Sequence, residues 1–390
     1  MISKLLKKCA LSSLIVIMSI TSAHATDSKA AIATAHPLAT EAGFEILKKG
    51  GNAFDAAVAI SAALAVVEPS GSGLGGGGFL LLHRAKDGFE TMIDGREKAP
   101  LAASKDMYLD EKGEVIKGLS KEGGLAAAIP GLPAAMVHLA EKYGRLSLKE
   151  SLQPAIRYAT EGFSIGERHR KLLGFRKKLL QQNPEAAQIL LEQDKIPANG
   201  SLLKQSDLAK TLQLIADKGK AGFYQGEVAE KLISSVNKTG GIWSQQDLDN
   251  YKIIERIPVY GNYKGIKITS AALPSSGGIV LVETLNILAA YDLSKFDNIA
   301  RKHLISEAMR RAYHDRALYL GDNDFIKVPV AQLLNKDYAA GLRSTIRMDK
   351  ALPSQELSGE NKAKTGGRNT THFSIIDAEG NRVSATLSIN

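Results

Sequence analysis

Two adjacent hydroxyls, on Thr370 and Thr371, stand where a glycine-bearing loop turns into a strand in the closing segment "GGRNTTHFSIIDAEGNRVSATLSIN". A threonine hydroxyl is a weak nucleophile until a base sits beside it. Making the threonine an N-terminus supplies that base, because its own α-amino group, with a pKa of about 8, takes the hydroxyl proton directly or through a water. Freeing the amine means cutting the Asn369–Thr370 bond, and the same hydroxyl can do so by attacking the preceding carbonyl to form an ester that water opens. The competing reading is plainer: Thr-Thr is good strand-forming sequence.

Three other constellations invite chemistry. Arg96 in "DGREKAP" follows a strand end, where a turn can present a guanidinium fork to a carboxylate; a surface ion pair with Glu97 or Asp94 is the alternative. The glycine run from Gly71 to Gly78 contains GxGxxG twice. A dinucleotide fingerprint needs strand, loop, helix in that order, whereas here the order is helix, loop, strand, and no Lys-Ser or Lys-Thr follows as in a phosphate-binding loop. The glycines read instead as a place where two backbones approach closely beside a site. His314 and Asp315 in "RRAYHDRAL" are adjacent on a helix and point about 100° apart, so they cannot chelate together; a solvated or salt-bridged helix face is expected there. No His-x-x-x-His or carboxylate cluster occurs elsewhere, and neither metal nor cofactor is expected.

These residues need a scaffold. Pro37 suits a helix first turn, Leu38, Ala42, Ile46 and Leu47 keep helical spacing, and Gly50-Gly51 end the helix. Asp55 to Glu68 reads as a second helix, alanine-rich and apolar nearly all round, hence buried between layers. "FLLLHR" and "FETMID" are strands joined by the hairpin signal "AKDG". Residues 130 to 236 are mainly helical, strands return from Tyr251, and two long helices follow, one around Ile279–Tyr291 and one in "ARKHLISEAMRRAYHDRALYLGD". Residues 350 to 367 are polar and read as an exposed linker delivering the chain into Asn369 and Thr370. Helix on hairpin gives a layered α+β protein with an antiparallel sheet.

Of the 390 residues 44% are apolar and 23% charged, ordinary values for a globular chain with a sizeable core. The net charge is +9, but Lys4, Lys7 and Lys8 lie in an N-terminal segment, and the remaining cations read as scattered among acids, so no nucleic-acid partner is expected. The first 25 residues have a basic start, the apolar core "ALSSLIVIMSI" and a small-x-small site at Ala23 and Ala25. They read as a cleavable signal peptide for a periplasmic or secreted product. Cys9, the single cysteine, lies inside that segment, which leaves the expected mature chain without thiol chemistry.

"AHPLATEAGFEILKKGGNAFDAAVA", "VVEPSGSGLGGGGF", "DGREKAP", "AAIPGLPAA", "LPSSGG", "AYHDRALYLGDNDF" and "NTTHFSIIDAEGNRVSATLSIN" occur in this order. Together they resemble the γ-glutamyltranspeptidase family of N-terminal-nucleophile hydrolases, from about residue 30 onward. The resemblance implies a four-layer αββα sandwich built from a large subunit, residues 26–369, and a small subunit beginning at Thr370. It implies that Thr370 cuts its own precursor and then takes the γ-glutamyl group from glutathione or a related compound, passing it to water or to an acceptor amino acid or peptide. Thr371 matches a supporting neighbour, Arg96 the residue that holds the substrate α-carboxylate, and Asn390 an asparagine near the substrate α-amino group. Ser388 falls where the family commonly has a threonine contacting the nucleophile.

In the family the small subunit continues far beyond the nucleophile, whereas 20 residues follow Thr370 here. The expectation is therefore a truncated record or fragment, poorly folded and inactive when expressed alone. Two rival readings are an acylase of the same superfamily acting on glutaryl or cephalosporin side chains, and a non-catalytic remnant.

Overall fold

The computed structural model describes residues 30–353 and 370–389. The expected signal peptide, most of the linker, Asn369 and Asn390 lie outside the described residues.

Helix α1 (Pro37–Lys48) starts as its sequence asks, with Pro37 in the first turn and the His36 ring accepting the Leu38 amide. Helix α2 (Ala53–Val67) starts two residues before the expected Asp55. Asn52 and Asp55 form a reciprocal cap in which each side chain takes the other's backbone amide. All fifteen residues of α2 are buried. The helix lies between the covered face of a sheet and helices α1, α3 (Leu132–Tyr143) and α4 (Leu148–Glu161). Its many alanines allow that close packing on every side. Asp55 is fully buried yet satisfied: its carboxylate also accepts the amides of Arg145 and Leu146, which ties the α3–α4 turn to the start of α2.

The sheet has six strands among the described residues, in the order β1-β9-β10-β2-β3-β6, with antiparallel pairing throughout. Its members are β1 (Ala31–Ala33), β2 (Gly77–Arg84), β3 (Phe89–Gly95), β6 (Ile254–Arg256), β9 (Thr370–Ile376) and β10 (Arg382–Ser388). The two-residue ladder β4–β5 (Phe163–Ser164 with Leu202–Leu203) and the hairpin β7–β8 (Val259–Tyr263 with Ile266–Ser270) stand apart. The hairpin β9–β10 thus lies inside the sheet, between the short β1 and β2, although it is remote from both in sequence. Its side chains alternate strictly. Thr371, Phe373, Ile375, Val383, Ala385 and Leu387 are buried against the helices, while Thr370, His372, Ser374, Ser384 and Thr386 face outward. The outward face is polar: the His372 ring meets the Thr386 hydroxyl at 2.8 Å.

A second unit carries β7–β8 and helices α6 (Gly277–Leu288), α7 (Asn298–Tyr319) and α8 (Lys336–Ser344), with small apolar clusters of its own. Two expectations are corrected. Asp315 is not on a solvated face but 3% exposed; it accepts the Tyr338 hydroxyl at 2.7 Å and lies beside the buried Glu283 of α6, because α7 turns that side toward its neighbours. Cations are also not evenly scattered. Helix α5 (Glu167–Gln182) carries Arg168, Arg170, Lys171, Arg176, Lys177 and Lys178 against Glu167, and buries only Leu173. Among the described residues no helix is long and apolar enough to cross a membrane.

Candidate active site

The site forms at one end of the sheet, where β9 begins, β10 ends and β2 begins. Thr370 is the first residue of β9, and its side chain is exposed on the open face. The register sets it directly opposite Ser388 of β10, and the two hydroxyl oxygens are 3.0 Å apart, so either can donate to the other. Thr371 points the opposite way. It is 4% exposed, and its hydroxyl has no hydrogen-bond partner among the described residues. The strand's two-residue period means that Thr371 can steady Thr370 only by anchoring the strand, not by touching its hydroxyl.

The glycine run links α2 to β2 and acts through close approach. None of its glycines has a positive φ, so conformational freedom is not the reason for them. A Cβ on Gly76 would lie 2.1 Å from the Ser388 carbonyl oxygen, one on Gly77 2.4 Å from the Gly95 oxygen, and one on Gly78 2.4 Å from the Thr386 oxygen. The Gly76 carbonyl accepts the amides of Gly131 and Leu132, which joins the run to the start of α3. Helix, loop, strand is the observed order, as the rejection of a dinucleotide site requires.

Arg96 follows β3. Its turn crosses over Gly77, where an added Cβ would come within 3.0 Å of the Arg96 Cα. Gly77 in turn pairs with Ser388, so the row Thr370–Ser388–Gly77 leads from the nucleophile candidate to the arginine. The guanidinium is half-exposed and makes an ion pair with Glu97 at 3.4 Å, and it lies 5.8 Å from the centroid of the Phe79 ring. The local ion pair expected as the plainer reading of Arg96 is present, and it leaves the guanidinium fork partly exposed. The backbone is held more firmly. The Arg96 amide donates to Asp94 at 3.1 Å, and the Tyr251 hydroxyl donates to the Arg96 carbonyl at 2.7 Å. Burial raises the Tyr251 phenol well above its usual range, which keeps it a donor.

Tyr251 and Arg256 escaped the sequence reading, and Asp94, named there as a possible ion-pair partner of Arg96, pairs with Arg256 and accepts the Arg96 amide instead. The spacing of Asp94 before Arg96 suits an Asx-turn, a local signal that was there to be used. Tyr251 and Arg256 reach the turn only through the pairing of β3 with β6, which nothing local foretells.

An antiparallel sheet with helices on one face is a fold this chain shares with N-terminal-nucleophile hydrolases. The chain belongs to the γ-glutamyltranspeptidase family: the family model described as "Gamma-glutamyltranspeptidase" matches residues 39–390. A "Glutathione hydrolase proenzyme" from Pseudomonas sp. (strain A14) is 45% identical over 362 residues, which are 92% of this chain and 63% of that protein. An "Acylase ACY 1 proenzyme" from Pseudomonas sp. (strain V22) is 39% identical, covering 94% of this chain and 66% of its own length. Among solved structures, the γ-glutamyltranspeptidase of Helicobacter pylori superposes with a TM-score of 0.82 at 42% identity, over 86% of this chain and 97% of that one. The chain thus spans somewhat less than two thirds of the length of the curated relatives it matches.

Proposed function

We propose that this chain carries the nucleophile of a γ-glutamyltransferase with glutathione hydrolase activity, made as a precursor that cuts itself between Asn369 and Thr370. The observation that carries the reading is the row Thr370–Ser388–Gly77 with the Arg96 turn lying across its far end. Two interstrand spacings put the backbones of Thr370 and Gly77 about 10 Å apart. A γ-glutamyl group has the acyl carbon to be attacked at one end and a carboxylate at the other, and it suits a gap with a hydroxyl on one side and a guanidinium on the other.

In the first step the Thr370 oxygen attacks the γ-carbonyl carbon while its proton passes to the freed α-amine. The amide C–N bond breaks, the leaving amine takes that proton, and a γ-glutamyl ester remains on Thr370. Water or an acceptor amine of an amino acid or peptide then attacks the ester and returns the proton to the hydroxyl, giving hydrolysis or transfer. Ser388 orients the Thr370 hydroxyl across their 3.0 Å contact, Thr371 anchors the strand from the core side, and Arg96 grips the α-carboxylate by exchanging Glu97 for substrate. Asn390, which lies outside the described residues, is assigned to the substrate α-amino group by family resemblance alone.

Processing divides the precursor into a large subunit, 26–369, and a small subunit from Thr370 that stay together as a heterodimer, exported under the N-terminal signal. In the four-layer sandwich the second sheet would stack on the outward face of β9–β10, the face the helices leave open. The acylase reading has a relative in its favour at 39% identity, and differs in needing no partner for an α-amino group. Turnover of γ-glutamyl and glutaryl anilides by the full-length gene product separates the two. A γ-glutamyl preference upholds this reading, and equal or better use of the glutaryl substrate moves it to the acylase.

A further inference from the structure

Arg96 is held on both sides of its backbone, on one side by Asp94, itself anchored by the distant Arg256, and on the other by the distant Tyr251, while its guanidinium stays comparatively free. On the amide side, Asp94 accepts the Arg96 N–H through Oδ1, and its Oδ2 receives the Arg256 Nε at 2.7 Å. The side chains of Arg256 and Asp94 are 10% and 7% exposed, so this is a nearly dry ion pair. The other face of Arg256 grips Asp324 with two nitrogens, at 2.9 and 2.7 Å, and its Nη1 also reaches the Asn323 side chain at 3.4 Å. On the carbonyl side, Tyr251 is 2% exposed and donates its hydroxyl to the Arg96 oxygen. Its ring stacks on that of Tyr224 with centroids 5.6 Å apart and planes 10° apart.

The peptide groups on either side of Arg96 are therefore fixed, whereas among the described residues the fork itself has the longer contact to Glu97 and the face of the Phe79 ring. A bidentate grip on a carboxylate depends on the direction from which the fork arrives. We infer that Tyr251 and Arg256 are positioning residues for the carboxylate grip of Arg96: together they set the direction in which that side chain leaves the backbone, and Arg256 ties it through Asp324 to the loop following α7. The inference rests on the reading of Arg96 given above.

The test compares Arg96→Gln, Tyr251→Phe and Arg256→Gln in the full-length gene product, with kcat and KM measured on a γ-glutamyl anilide beside the melting temperature. Tyr251→Phe deletes one oxygen and keeps the stacked ring, so it serves even where Arg256→Gln, which strands the Asp94 carboxylate, fails to fold. The expected result is a rise in KM of roughly three- to tenfold for Tyr251→Phe, with kcat within about twofold. A merely structural role would lower the melting temperature and the amount of active enzyme, and with it the apparent kcat, while leaving KM alone; that result overturns the inference. If Arg96→Gln raises KM and Tyr251→Phe does not, this inference falls and the reading of Arg96 stands. If Arg96→Gln itself leaves KM unchanged, the carboxylate grip is wrong and both fall.

Discussion

The Thr370 hydroxyl lies 3.0 Å from that of Ser388, because the register of β9 against β10 sets the two residues directly opposite each other. A hydroxyl at that distance can hold the attacking oxygen with a lone pair toward substrate. Ser388→Ala should lower kcat/KM on a γ-glutamyl anilide by roughly tenfold, the worth of one well-placed hydrogen bond. Ser388→Thr keeps the hydroxyl and should stay within about threefold of the parent. Steady-state kinetics on the two variants checks both.

The glycine run should tolerate no side chain where backbones cross. In Gly76→Ala the new methyl would meet the Ser388 carbonyl oxygen, a backbone atom that cannot swing aside as a flexible side chain can. A loss of about 1–3 kcal/mol or more is expected, with Ser388 displaced and turnover lost as well. Gly166→Ala is the control. Gly166 has φ −100° and nothing within 4 Å of an added Cβ, so thermal melting should be unchanged there.

The turn between β9 and β10 is pinned to the start of α2. Asp377 is 5% exposed. It accepts the Ala53 amide at 2.9 Å with one oxygen, and the Glu379 and Asn381 amides with the other. Asp377→Ala leaves those buried donors without their acceptor and should cost about 2–4 kcal/mol in chemical denaturation. Glu379→Ala, which removes a largely exposed ion pair with Arg145, should cost under about 1 kcal/mol.

Glu283 provides a pH dependence of defined sign. It is 1% exposed, and burial together with the neighbouring Asp315 pushes its carboxyl up to about 9 from an ordinary 4.5. Between those values the folded chain keeps a proton that the unfolded chain releases. The stabilising contribution is therefore complete below about pH 4.5 and is lost as pH rises toward 9, at up to about 1.4 kcal/mol per pH unit. Glu283→Gln removes this slope. Denaturation midpoints between pH 5 and 8 should fall with pH in the parent more steeply than in the variant.

Much of this was legible from residue order. The alanine-rich α2 announced its burial by lacking a polar face, and the passage from loop to strand read at Thr370 is where β9 begins. The glycine run declared close approach through its density and through the order of elements around it. What stayed hidden was pairing at a distance. Nothing in "YKIIERIPVY" says that Arg256 will reach Asp94, or that Tyr251 will hold the carbonyl of Arg96, since those contacts exist only once β6 has joined β3. Asp315 was misjudged for the same reason. Adjacency to His314 suggested a surface helix, whereas the packing of α6 and α8 against α7 decided its burial.

The central claim is that Thr370 frees its own amine and then uses its hydroxyl. Intact-mass analysis with N-terminal sequencing of the full-length gene product, set beside Thr370→Ala, tests this most directly. The account predicts two polypeptides from the parent, one of them beginning at Thr370, and a single uncut polypeptide from the variant. An uncut parent, or a Thr370→Ala variant cut at the same bond, would contradict it.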